Sequence, residues 1–263
     1  DTPKINELLR NWEGAPDRYD YMYIPEGVYH IDAVNNFGGI VLTDNQTLIM
    51  SPDTQLEAIG NNQKNSQMIY AFGRKNIVIS GGKLVGERNS HIGTSGEWGH
   101  GINITGCTNV HISDVEVSQC WGDGIYLGLY NGWDEAGNKK EYLSNGITIN
   151  NCNLHHNRRN NLSITDVSNV TVTNCKFNYA SGTDPQYGID IEPNKNKTCS
   201  NVTISNCSFK GNAKGTIQIL GQLNAHVKGV TIENCTGDKA PVKWSGFGGS
   251  VSGVVENNNN WNG

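Results

Sequence analysis

The sequence has no uninterrupted apolar run approaching the roughly 18 residues that a membrane-spanning helix needs. Its N-terminus also lacks the charged-then-apolar layout of a secretory leader, so a mature or excised soluble product is expected. Charge is scarce: 17% of the 263 residues are Asp, Glu, Lys or Arg, and the net charge of −5 gives no basic footprint. Nucleic acid is therefore not an expected partner. Seven cysteines cannot all pair, and no two stand in a C-x-x-C arrangement, which removes the usual zinc-clip and redox readings. Hydrophobic residues reach only 36%, too few for a helical bundle.

What the chain has in abundance is Gly, 32 residues of it, together with Asn, Ser and Thr, the mixture that short strands joined by many turns require. One phrase recurs throughout: two apolar residues, one position apart, after a small or polar lead-in. It reads Gly101-Ile102-Asn103-Ile104, Gly124-Ile125-Tyr126-Leu127, Asn161-Leu162-Ser163-Ile164, Gly188-Ile189-Asp190-Ile191, Thr216-Ile217-Gln218-Ile219 and Pro241-Val242-Lys243-Trp244. Side chains alternate along a strand, so the apolar pair of each copy faces inward and the residue between them outward. A second phrase, such as Asn169-Val170-Thr171-Val172, also recurs; in its last four copies a cysteine follows three residues later, giving Cys152, Cys175, Cys207 and Cys235. Successive separations of 23, 32 and 28 residues are those of one coil repeated with loops of different length.

A coil of two or three short strands cannot bury its apolar face alone, so the coils must stack with parallel strands about 4.8 Å apart. The expected fold is all-β: one single-stranded right-handed parallel β-helix, with a short capping helix over its N-terminal end. Ile5, Leu8, Leu9 and Trp12 have helical spacing and would form that cap. Residues 1–44 then supply cap and lead-in strands, 45–255 the coils, and 256–263 a C-terminal tail, all within one domain. The four cysteines become an interior ladder of reduced thiols.

Stacking the copies places Asn103, Tyr126, Ser163, Asp190, Gln218 and Lys243 in one outward column. Glu192 lies in the next column, and His100, Asp123, Asn160 and Tyr187 lie along the leading edge. Only the strand at Asp190 turns two carboxylates outward. Asp190 and Glu192 should be roughly 6.6 Å apart at Cα, and Asp123 roughly 9.6 Å from Asp190. Side-chain leaning brings either pair within reach of the roughly 6.5–9.5 Å carboxyl separation of an inverting glycosidase. In that chemistry one carboxylic acid protonates the leaving oxygen while a carboxylate activates water, and mutual repulsion keeps one group protonated near neutrality. Solvated carboxylates, or carboxylates on a structural calcium ion, are the alternative; no cofactor is otherwise required. Three long loops, at 86–100, 129–145 and 178–187, flank this sheet and would wall a groove. Trp98, Trp121, Trp133, Tyr126 and Tyr187 offer flat faces for sugar rings. Arg158 and Arg159 could hold a uronate or phosphate, and His100 could serve as an acid or base. Gln218 and Lys243 complete the expected substrate contacts.

The lead-in Ile24-Pro25-Glu26-Gly27-Val28-Tyr29 and the coil phrases resemble the pectate-lyase-like superfamily, in the branch holding polygalacturonases, mannuronan epimerases and phage tailspike depolymerases. Tyr187-Gly188-Ile189-Asp190 looks like the start of the epimerase and alginate-lyase signature Tyr-Gly-Phe-Asp-Pro-His, without its histidine, since Ile191 and Glu192 follow. Gly122-Asp123-Gly124 partly echoes the polygalacturonase Asp-Asp motif. The resemblance implies a polysaccharide substrate and an extracellular, secreted or virion-associated setting, with a trimer if the chain is a tailspike. Three functions remain open on it: a glycoside hydrolase acting through Asp190, Glu192 and Asp123; a lyase or C5-epimerase on uronates; and a noncatalytic glycan-binding or tail-fibre module.

Overall fold

The computed structural model describes residues 1–9, 20–34, 38–133 and 136–262. Three parallel sheets run side by side along the molecule, of nine, eight and eight strands, with each coil contributing a strand to each. The alternation in the sequence is what sets their register. Ile102, Ile125, Leu162, Ile189 and Ile217 pair in one line, and Ile104, Leu127, Ile164, Ile191 and Ile219 in another, all fully buried. Between them Asn103, Tyr126, Ser163, Asp190 and Gln218 form the outward column. A one-residue slip would expose every isoleucine, so register is strongly specified here.

Stacking starts earlier than expected. Tyr21–Ile24 already pairs with Thr47–Met50, and Gly27–Ile31 with Thr54–Ala58, so these strands form the first coil rather than a lead-in. The helix spans Thr2–Leu9 and buries Thr2, Ile5 and Leu9. Leu8 faces solvent, and Trp12 lies outside the described residues. Asn6 completes the cap: its amide donates to Gly39 O at 2.8 Å and its Oδ1 accepts the Val41 N–H at 2.9 Å. The side chain thus occupies the hydrogen-bonding edge that the strand Ile40–Val41 would otherwise leave open.

The corners explain the asparagines. Asn76, Asn109, Asn169 and Asn201 sit one residue before the second apolar phrase with φ between 55° and 57°, and glycine takes the equivalent place at Gly146 and Gly229. Asn151, Asn174, Asn206 and Asn234 do the same immediately before the four ladder cysteines. Asn tolerates the left-handed region better than other chiral residues, so each corner selects Asn or Gly and the following Cys turns inward. All seven cysteines are free and buried.

The last coil departs from the expected alignment. Val242 pairs with Gln218, Lys243 with Ile219 and Trp244 with Leu220, one residue out of step. Val242 and Trp244 are therefore exposed rather than inward, and Lys243 leaves the outward column to ion-pair with Glu256 at 2.8 Å. Among the described residues Val242–Gly246 is the edge strand of its sheet, and burial does not enforce the alternation there.

Candidate functional site

The outward column leads to a cleft of about 270 Å³, lined among others by Trp98, Tyr126, Arg159, Ser163, Asp190, Glu192 and Lys195. Its floor is Asp190, on the strand Tyr187–Ile191, only 3% exposed. Asn160 Nδ2 donates to its Oδ2 at 3.2 Å and Gln218 Nε2 to its Oδ1 at 3.0 Å. Burial, then the nearby Glu192, push the Asp190 carboxyl up to about 7, against the pull of Arg159 and Gln218. Repulsion between carboxylates contributes as expected, but loss of water is the larger cause. Glu192 lines the same cleft, half-buried, and accepts a hydrogen bond from Gln222 Nε2 at 2.6 Å.

Behind the floor stands a second carboxylate. Asp123 is fully buried; Arg159 Nη1 donates to both its oxygens, at 3.2 and 3.0 Å, and the Asn160 N–H donates to Oδ1 at 2.9 Å. Asp123 therefore does not reach the cleft as a catalytic group: it holds Arg159, whose guanidinium does. Asn160 joins the two carboxylates, its backbone N–H donating to Asp123 and its side-chain amide to Asp190; that amide also donates to Ser163 Oγ, and its Oδ1 accepts the Tyr187 N–H. Leading-edge position alone marks Asn160 in the sequence; its bridging role arises from the corner that folds it beneath Asp190.

Other expected contacts move. His100 is buried, stacked on Tyr126 with ring centroids 5.0 Å apart, and its Nδ1 accepts the Asp123 N–H at 3.2 Å. Burial lowers it to about 4, outweighing Asp123, so it is neutral and lies beneath the cleft wall rather than touching a ligand. Arg158 faces away from the cleft: its guanidinium stacks 3.7 Å over Trp121 and donates to the carbonyls of Gly96, Trp121 and Thr94. Trp121, 8% exposed, is packed on its other face by His91 at 3.8 Å. This stack anchors the loop that delivers Glu97 and Trp98, and Glu97 lies 3.5 Å from Arg159 Nε. Trp98, 52% exposed, offers its ring to the cleft. The Tyr187 ring lies instead against Gly215, where an added Cβ would come within 3.0 Å of it. Gln218 orients Asp190, Lys243 is spent on Glu256, and Trp133 lines a separate depression.

Sequence reasoning also passed over Asp166. It is buried, and it accepts both the backbone and side-chain N–H of Asn194, at 2.8 and 2.7 Å, fixing the loop that presents Asn194 and Lys195 to the cleft. Among the described residues no group of three or more His, Cys, Asp or Glu is arranged to hold a metal ion, and none of the helices is long and apolar enough to cross a membrane.

Stacked three-sheet coils with a cleft across one sheet define the β-helix class of protein. The chain belongs to the right-handed beta helix region family, whose model matches residues 29–236 and, overlapping, 141–262. It is 36% identical over 211 residues to the uncharacterized protein YclG of Bacillus subtilis (strain 168), a match covering 73% of this chain and 35% of that protein. The chain thus spans about a third of the length of the curated relatives it matches. Among solved structures, the exopolygalacturonase of Thermotoga maritima superposes with a TM-score of 0.64 at 13% identity, covering 92% of this chain and 63% of that one. The tailspike protein gp49 of Acinetobacter baumannii bacteriophage Fri1, a capsular polysaccharide depolymerase, gives 0.58 at 18% identity, over 90% and 50%. At such identities the likeness is one of fold.

Proposed function

We propose that residues 1–263 act as one glycan-cleaving unit, a glycoside hydrolase working outside the cell or on a virion. The observation that carries this is the state of Asp190: buried at the floor of an open cleft, raised to about 7, and two residues from Glu192, which follows the end of its strand. Such a carboxyl still holds its proton near neutrality and can deliver it to a departing glycosidic oxygen. Glu192, facing the same cleft, is the carboxylate that activates water. Arg159, held by Asp123, and the Trp98 and Tyr126 rings orient the sugar. The tailspike and polygalacturonase neighbours lend the reading support, because both act on polysaccharides by the names they carry.

A lyase reading is favoured by one feature. Arg159 lines the cleft that Asp190 floors, so a uronate carboxylate could be neutralised there while ionised Asp190 removes the adjacent proton. Incubation with neutral, uronic and teichoic-type glycans separates the readings. New reducing ends without ultraviolet absorbance support hydrolysis, absorbing unsaturated products support elimination, and binding without turnover overturns both.

A further inference from the structure

One element is foreign to the solenoid. Tyr130–Trp133 and Lys139–Tyr142 form an antiparallel hairpin in a molecule otherwise built of parallel strands, and no coil depends on it for pairing. It is nevertheless firmly seated. The Tyr130 ring stacks on Phe72 at 5.8 Å and on Tyr142 at 6.1 Å, extending an aromatic row from Tyr70 and Phe72. Gly132 makes room for that ring, since a Cβ there would lie 2.4 Å from it. Tyr142 OH donates to Trp133 O at 2.9 Å, and Glu141 ion-pairs with Lys197 on the loop after the cleft residues Asn194 and Lys195.

On this mount Trp133 is 64% exposed and Lys139 Nζ lies 5.8 Å from its ring centroid. Lys140 Nζ lies 5.0 Å over Tyr142. A depression of about 510 Å³ opens between Asn131, Gly132, Trp133, Lys139, Lys140 and Glu141. Neither lysine has a carboxylate partner among the described residues, whereas Glu141 is neutralised by Lys197. An exposed indole bordered by two ammonium groups that meet no carboxylate among the described residues fits a pyranose ring carrying an acidic substituent: the ring packs on the indole and the acid meets the lysines.

We infer that the Trp133 hairpin is a second, noncatalytic binding site for acidic polysaccharide, separate from the Asp190 cleft. It rests on the proposed function only in taking a glycan as ligand, and it holds whether or not the cleft turns over. The Glu141–Lys197 ion pair links the hairpin to the loop beside the cleft, and a polymer that engages both sites would dissociate more slowly than from either alone.

The test is native electrophoresis through gels containing alginate, polygalacturonate or hyaluronate, with dextran as the neutral control. Wild type, Trp133→Ala, the Lys139→Gln/Lys140→Gln double variant and Asp190→Asn are compared. At least one acidic polymer is expected to retard wild type and Asp190→Asn alike, with the apparent affinity of Trp133→Ala and of the lysine variant lowered about two- to fivefold, the size of an exposed cation–π contribution. Trp133, Lys139 and Lys140 are all exposed, so melting temperatures should be unchanged. Equal retardation of wild type and both hairpin variants, no retardation by any acidic polymer, or equal retardation by dextran would overturn the inference. Loss of turnover in Asp190→Asn with retardation intact bears on the cleft alone.

Discussion

Replacing Asp190 by Asn should make the protein more stable at alkaline pH, and the size of the effect follows from the site. The carboxyl titrates at about 7 in the folded chain against 3.8 when exposed. A raised acid is the case in which the folded state binds the proton more tightly, so stability is complete below about 4 and falls as pH climbs to about 7. Three units at about 1.4 kcal/mol each give an upper figure of about 4 kcal/mol of destabilisation above pH 7. Asn never ionises and escapes this loss. Both Asp190 oxygens now accept amide donors, however, and an Asn can accept only on one side, which returns about 1–2 kcal/mol. The net gain at pH 8 is about 2 kcal/mol, or about 4–8 °C in Tm. Thermal melts of both proteins from pH 4 to 9 should show the variant about 1–2 kcal/mol less stable at the acid end and the more stable of the two above about pH 6, the curves crossing between. Parallel curves would refute the raised carboxyl and with it the proton-donor role.

Three further outcomes follow from the same geometry. The kcat/KM of the cleaved glycan should fall as pH rises through about 7, and Gln218→Leu, which removes a donor favouring the charged form, should shift that limb to higher pH; an unmoved limb counts against Asp190 as the acid. Arg159→Met strands the buried Asp123 carboxylate and should cost about 3–5 kcal/mol in denaturant melts, whereas Trp98→Ala should stay within about 0.5 kcal/mol while weakening glycan binding. All seven cysteines are buried, so a thiol reagent at pH 8 should modify none until the protein unfolds; rapid labelling of native protein would contradict the buried ladder.

The coils were legible because period-two alternation is a physical demand of a one-sided buried strand. Ile189 and Ile191 had to face inward, which fixed Asp190 as outward without further information. The cysteine phrase was legible for the same reason, though its partner signal, the Asn before each Cys, was read as composition rather than as a left-handed corner. What the pattern does not carry is how loops fold over the sheet. Asp123 and His100 looked available at the leading edge, yet the corners cover them, and Arg158 is drawn to Trp121 rather than to the cleft. The slip at Lys243 belongs with these: alternation is informative only where the layer above is dry.

The most direct measurement is turnover by Asp190→Asn on a glycan that the wild-type protein cleaves, followed by reducing ends at pH 6. A proton donor replaced by a group that cannot exchange its proton should lose about 10²–10⁴-fold in kcat with glycan affinity kept, because acid catalysis is removed while the cleft keeps its shape. Wild-type turnover in that variant would contradict the account.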